Sequence, residues 1–267
     1  RLFSERDFDL YEENGDFEVQ RQKLDQKRQD VIREILAADN IEGVLDFARH
    51  VDSPRKVGLA LGYLGSPEVD SYLLPMYLEQ TDKAISNFVG SFVSGRYWDQ
   101  KLGWVDTQLG KGWSTKQMLS FLVLLPFDPE VWRRADQCLG EEVPMYWKEV
   151  YANPWGLEQQ HLFEAAEKLI LNGRPRAAID CLYLLAHKKV VYTAKFALPA
   201  LMDCLESGNE TGQLDQHHIL EVIKWLQEIE PEDSEDLFQI EWSFLPMLDR
   251  HFNGEPKILE RRLAAKP

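Results

Sequence analysis

Apolar residues recur along most of the chain at steps of three and four, the spacing that lines one face of an α-helix. Three such faces are Trp98, Leu102, Val105 and Leu109; Leu162, Ala166, Leu169 and Ile170; and Ala194, Leu198, Leu201 and Leu205. Gly110 and Gly173 follow the first two faces, where a helix C-terminus is expected. The strand-like stretch 189–196 runs into the third face and is interpreted as the start of a helix. The pattern predicts an all-α fold with no sheet.

Capping residues mark several helix N-termini. Residues 53–54, 66–67 and 128–129 each place Ser or Asp directly before proline, a combination that favours the N-cap and first turn of a helix. Ser114 and Gln117 have the spacing of a capping box. Together with the glycines, these signals predict helices joined by turns.

The pattern of apolar and turn residues recurs after about 75 residues, a period of about two TPR, HEAT or armadillo hairpins. Residues 44–77 align with residues 118–151. Matched pairs include Leu45 with Leu119, Phe47 with Phe121, Pro54 with Pro129, Leu64 with Leu139, Tyr72 with Tyr146, and Tyr77 with Tyr151. Because stacked repeats share packing positions, we interpret the matched residues, including the tyrosines, as structural.

This repeat sets the predicted domain organisation, an α-solenoid of stacked helical hairpins. Residues 1–39 are expected to form an acidic segment, either a linker or a loosely docked arm, followed by a charged capping helix. Residues 40–113 and 114–190 form the two repeat units, and residues 191–267 supply further helices at the C-terminal end.

An aromatic-rich stretch breaks the symmetry of the repeat and suggests a binding surface. Trp147 aligns with Leu73, and Trp155 has no aromatic counterpart. Arg174 ends the matched "LNGR" turn further on, and Trp and Arg often carry interface energy. We therefore predict binding residues Trp147, Trp155 and Arg174. In the alternative interpretation, Trp147 fills the space that Leu73 fills, and Trp155 plugs the turn before Leu157.

The charge balance narrows the class of partner. The chain carries 45 acidic against 30 basic residues, a net charge of −15. A nucleic-acid binder normally has an excess of Lys and Arg, so we expect no nucleic-acid partner. The basic stretches 21–28 and 258–266 are interpreted as solvated helix faces. A protein partner with a basic patch fits the charge better.

No motif assigns chemistry to the chain. Residues 110–115 (GKGWST) lack the residue order of a phosphate-binding loop. His217 and His218 are adjacent, so a helix would point their rings about 100° apart, which does not suit joint metal binding. We therefore assign no catalytic, metal-ligating or cofactor-binding residue, although a carboxylate site in a groove stays open.

Cysteine usage and hydropathy indicate the compartment. The three cysteines are widely spaced and form no pairing pattern, which fits a reducing cytoplasm. The most apolar stretch, 118–127, is about half the length that a bilayer requires. We expect a cytoplasmic protein without a membrane segment.

Residues 125–150 and 165–187 resemble the TPR-like or HEAT-like repeat regions of large multidomain bacterial proteins. The resemblance is one of repeat style, without a diagnostic motif, and covers about residues 114–190. Some such proteins are antiphage STAND NTPases, whose repeats act as the sensor. The resemblance implies a piece of a larger protein and no catalytic residues here.

A duplicated helical unit without a chemical motif favours a non-catalytic protein-interaction or sensor module. One alternative is a helical enzyme with a carboxylate-lined groove, either a hydrolase or a HEAT-like nucleic-acid enzyme. A basic groove would favour the nucleic-acid enzyme, and two carboxylates facing a closed pocket would favour the hydrolase. Another alternative is a structural subunit that scaffolds an oligomer.

Overall fold

The computed structural model describes residues 1–6, 10–11, 15–206, 215–248 and 255–265. These residues form helices and turns without a strand, which confirms the all-α prediction for this part of the chain. The helices are α1 (Phe17–His50), α2 (Pro54–Leu64), α3 (Pro67–Leu73), α4 (Lys83–Leu109), α5 (Thr115–Leu122), α6 (Pro129–Leu139), α7 (Val143–Glu149), α8 (Gln159–Leu171), α9 (Pro175–His187), α10 (Ala194–Glu206), α11 (Gln216–Ile229), α12 (Glu235–Ser243) and α13 (Lys257–Ala265). None of the described helices is both long and apolar enough to cross a membrane.

The chain divides into two compact units, Arg1–Tyr146 and Trp147–Pro267. The division falls within α7, inside the predicted repeat unit 114–190. The predicted domain bounds and the 75-residue repeat stay predictions.

In the first unit, α2 and α4 pack backbone against backbone because both carry glycine at the contact. A Cβ atom added to Gly62 would lie 2.5 Å from the carbonyl oxygen of Phe92. One added to Gly95 would lie 2.7 Å from the carbonyl oxygen of Leu59. A real Cβ atom does not fit at such distances, so the close approach depends on these two glycines.

The predicted capping residues largely act as caps. Ser66 Oγ accepts from the amide of Val69, Asp128 accepts from the amide of Glu130, and Ser114 with Gln117 completes a capping box. Ser53 precedes α2 but makes no side-chain cap.

The two glycines predicted at helix C-termini adopt different conformations. Gly173 follows α8 in the left-handed conformation, with φ of 71°. Gly110 ends α4 with an ordinary φ of −72°, and Gly112 is the glycine with positive φ after this helix. The apolar face predicted over 98–109 is also interrupted, because Lys101 has φ of 57° and kinks α4 there.

The N-terminal residues 1–6 are docked against the first unit. The Phe3 ring is buried and packs edge-on against Phe47, with 5.2 Å between the ring centroids. The amide of Ser53 and the ammonium group of Lys56 donate to the carbonyl oxygens of Phe3 and Ser4. Residues 1–6 therefore include one buried aromatic side chain, Phe3, which the acidic composition of the segment did not indicate.

In the second unit, α9 packs against α8, α10 and α11, and α12 packs against α10 and α13. The buried carboxylate of Glu241 on α12 accepts hydrogen bonds from the amides of Ile258 and Leu259, at 2.9 and 2.8 Å. It thereby holds the N-terminus of α13. The strand-like stretch forms no strand, and α10 begins within it at Ala194.

Candidate functional site

Two of the three predicted binding residues lie at the end of α7. The Trp147 side chain is only 2% exposed, and its aligned counterpart Leu73 is also fully buried. Arg174 precedes α9 and donates from Nη1 to the carbonyl oxygens of Val150, at 2.6 Å, and Trp147, at 3.4 Å. The guanidinium group thus binds the carbonyl end of α7, a favourable place for a cation.

Trp155, the third predicted residue, is 64% exposed at a tight turn. The amide of Leu157 donates to the carbonyl oxygen of Pro154, which closes the turn around Trp155 and Gly156. Gly156 has φ of 94°, a conformation that favours glycine. Lys188 at the end of α9 donates to the carbonyl oxygen of Leu157 at 2.7 Å and anchors the turn. The exposed indole therefore stands on a fixed support.

The Trp155 indole lies next to the Tyr183 ring of α9, with the ring centroids 6.4 Å apart. Tyr183 in turn stacks on His218 of α11 at 3.9 Å and lies near His187 and His217, at 6.2 and 5.8 Å. We call these five residues the Tyr183 cluster. The half-buried phenol ring connects an exposed tryptophan with three imidazoles.

His218 is held by two carboxylates. Its Nδ1 lies 2.8 Å from Oδ1 of Asp180, and its Nε2 lies 3.6 Å from Oδ2 of Asp215. The Asp180 contact fixes the plane of the imidazole against Tyr183. His217 is exposed while His218 is mostly buried, the division of roles expected for adjacent residues on a helix.

A groove of about 500 Å³ opens beside the cluster, between α9 and α11. It is lined by Tyr183, Ala186, His187, Lys189, His217, Glu221, Lys224, Trp225 and Glu228. The Trp225 indole donates to the carbonyl oxygen of Val190 at 2.9 Å, and Lys224 pairs with Glu221 at 2.9 Å. The groove therefore combines aromatic walls with charged groups of both signs.

The His218 imidazole and the Asp180 carboxylate form a pair of the kind that can take part in acid–base chemistry. Such a pair acts as a general base when the proton that it takes lies within hydrogen-bond reach, whether on a side chain, a water molecule or a substrate. In the part of the chain that the structure describes, Nδ1 of His218 is hydrogen-bonded to Asp180, and Nε2 lies within ion-pair distance of Asp215. The Cys181 thiol donates to the carbonyl oxygen of Ala177, and burial raises its pKa. Among the described residues, no three His, Cys, Asp or Glu side chains are grouped to hold a metal.

The sequence pattern selected Trp155 as a candidate binding residue but did not select Tyr183 or His187. These two residues lie four positions apart on α9, so they share one helix face. Their spacing was visible in the sequence, but it did not reveal that the turn at Trp155 and the start of α11 meet on this face.

The chain matches no known protein-family model, and comparisons with characterised proteins and with solved structures found no similar chain.

Proposed function

We propose that this protein is a non-catalytic helical-repeat interaction module that binds a protein partner through the Tyr183 cluster and the adjoining groove. The observation that carries the proposal is the 64% exposed Trp155 indole, held on an anchored turn beside an aromatic groove of about 500 Å³. A large, rigid and exposed aromatic side chain next to a cavity is typical of a residue that dominates binding energy.

A repeat architecture of TPR or HEAT type is supported by matching local features in the two aligned segments. Helices α2 and α6 both have 11 residues and begin with proline. The sequence VSGR at residues 93–96 also matches LNGR at residues 171–174, and the arginines that end them have parallel roles. Arg96 pairs with Asp70 on α3, and Arg174 binds carbonyl oxygens at the end of α7. Each arginine thus holds the short helix of its own segment.

The net charge of −15 favours a partner with a basic patch and disfavours nucleic acid. The three free cysteines suit a cytoplasmic protein. We extend the proposal to a sensor role within a larger bacterial protein, including one of the antiphage type, because residues 125–150 and 165–187 resemble such proteins in repeat style.

Site-specific photocrosslinking tests the proposal. A photoreactive phenylalanine analogue at position 155 should capture a discrete partner in the native host. The same analogue at the exposed Trp242 position should not capture it. The affinity of the purified partner should then fall by about 10-fold or more for Trp155→Ala and Tyr183→Ala, as expected at interface hot spots. Trp242→Ala should leave the affinity unchanged.

If both cluster variants are folded, as judged by circular dichroism, and keep full affinity, the Tyr183 cluster does not bind the partner. Equal capture from positions 155 and 242 would show that the contact is non-specific.

A further inference from the structure

A second concave site lies within residues 1–146, at the kink of α4. The positive φ of Lys101 divides this helix into two segments, 83–100 and 102–109. A cleft of about 410 Å³ opens at the division, and it has no residue in common with the Tyr183 cluster. Its lining residues are Pro67, Asp70, Ser71, Arg96, Gln100, Gly103, Trp104, Thr107, Gln108 and Lys111.

The cleft is backed by a buried polar network. Arg96 donates from Nε and Nη2 to the two carboxylate oxygens of Asp70, both at 2.8 Å. The Trp104 indole donates to Oδ2 of Asp70, also at 2.8 Å. Both carboxylate oxygens are therefore occupied, so Asp70 offers little attraction to a cation. The network fixes the orientation of the Trp104 ring beside the cleft.

Gln108 lies one turn beyond Trp104 and is only 1% exposed. In the part of the chain that the structure describes, its Oε1 is buried and accepts no hydrogen bond. Native proteins rarely leave a buried amide oxygen unpaired. Gln108 also lines the cleft, so a turn of its amide toward the cleft would bring this acceptor within reach of a donor supplied from outside the chain.

The mouth of the cleft carries positively charged groups. Lys111 is exposed, and Ser71 Oγ, at 3.5 Å, is the one hydrogen-bond partner of its ammonium group among the described residues. Within the described ranges, Arg96 Nη1 makes one long contact, with Asp99 at 3.7 Å. With Asp70 neutralised, the cleft has a cationic edge in a chain of net charge −15. Gly103 adds room, since a Cβ atom there would meet nothing within 4 Å.

We propose that this cleft binds a small organic anion that also carries a hydrogen-bond donor. Its anionic group lies at Lys111, and its N–H or O–H group donates to Oε1 of Gln108. Hydroxycarboxylates, N-acyl amino acids and phosphate monoesters of polyols share this chemistry. The volume of the cleft falls within the range of small-molecule sites. The site does not depend on the proposed interaction function.

The test follows the Trp104 indole N–H resonance, assigned with Trp104→Phe, while probes are added to the full chain. The probes are lactate, N-acetylglycine and glycerol 3-phosphate. Sulfate supplies an anion without a donor, and lactamide supplies a donor without a charge. We expect saturable shifts of the resonance with at least one of the three probes. The affinity for that probe should be about 10-fold higher than the affinity for sulfate or lactamide. Preference among the probes distinguishes a carboxylate from a phosphate ligand.

Two pairs of variants separate binding from folding. Gly103→Leu should block the cleft, whereas Gly103→Ala should bind normally and keep the fold. Gln108→Leu removes a buried unpaired oxygen, so it should fold, but its affinity for the best probe should fall to the sulfate level. Lys111→Ala should weaken the binding of every anionic probe.

The absence of saturable shifts with all three probes up to about 10 mM would overturn the proposal. Full binding by Gly103→Leu would do the same, because the probes would then lie elsewhere.

Discussion

The guanidinium group of Arg134 on α6 forms a bidentate ion pair with Asp106 on α4. Nε donates to Oδ1 at 2.6 Å and Nη2 donates to Oδ2 at 2.8 Å. The hydrogen bonds from Arg134 hold the pKa of Asp106 below its usual range, although part of the carboxylate is exposed. This pair links the kinked helix to the helix that begins at Pro129.

The lowered pKa makes the contribution of this pair dependent on pH. The unfolded aspartate titrates at about 4, and the folded one titrates lower, so the stabilisation is full above the unfolded value. It is lost as pH falls through the folded value. Asp106→Asn should therefore lower the free energy of unfolding at pH 7 by up to about 1 kcal/mol, since solvent screens the pair.

Urea denaturation at pH 7 and at pH 3 measures this effect, with Asp39→Asn as an exposed control on α1. The difference between wild type and Asp106→Asn should shrink at pH 3. An equal difference at both pH values would mean that the carboxylate charge is not involved.

The local part of the fold was predictable because its signals lie close together in sequence. Ser114 and Gln117 form their capping box within a single turn, and Gly173 takes its positive φ directly after α8. The kink at Lys101 was not predictable, because lysine has no intrinsic preference for positive φ. As a result Trp98 is exposed although Val105 is buried, and the two do not share one apolar face.

The candidate site was predictable only at Trp155, which stood out as an unmatched aromatic residue in a turn-rich stretch. Tyr183 and His218 are far apart in sequence and meet only because α9 packs against α11. The alignment with Leu73 gave the alternative interpretation of Trp147, and both side chains are buried. Tyr151 shows the limit of that alignment, because it is exposed although its match with Tyr77 suggested a packing role.

Phe121 should be a major determinant of stability in the first unit. Its fully buried ring packs edge-on against Trp104 and Trp113, with centroid distances of 5.4 and 5.3 Å. Phe121→Ala leaves a large cavity and should cost about 3–5 kcal/mol of unfolding free energy. Chemical denaturation measures the loss, with exposed Met76→Ala as the control. A midpoint as high as that of the control would contradict the burial of this ring.

The glycine contact between α2 and α4 predicts opposite effects of the same substitution at two helical sites. Gly62→Ala places a methyl group 2.5 Å from the carbonyl oxygen of Phe92 and should cost about 1–3 kcal/mol through overpacking. Gly103→Ala meets nothing within 4 Å and should stabilise α4 by up to about 1 kcal/mol through helix propensity. Thermal unfolding of the two variants should show shifts of opposite sign. Two shifts of the same sign would argue against the close approach of the helices.

Trp147 and Trp155 should separate stability from binding, although they lie eight positions apart. Trp147 is buried at the end of α7, so Trp147→Ala removes a large core side chain and should cost about 3–5 kcal/mol. Trp155 projects from its turn into solvent, so Trp155→Ala should change the free energy of unfolding by less than about 0.5 kcal/mol. Urea denaturation of both variants measures the difference, and Trp242→Ala serves as a second exposed tryptophan. A large loss of stability in Trp155→Ala would mean that this indole supports the turn and α9, and it would weaken the case for a binding residue. A small loss would mean that the exposed ring has no structural role, as expected of a residue that contacts a partner.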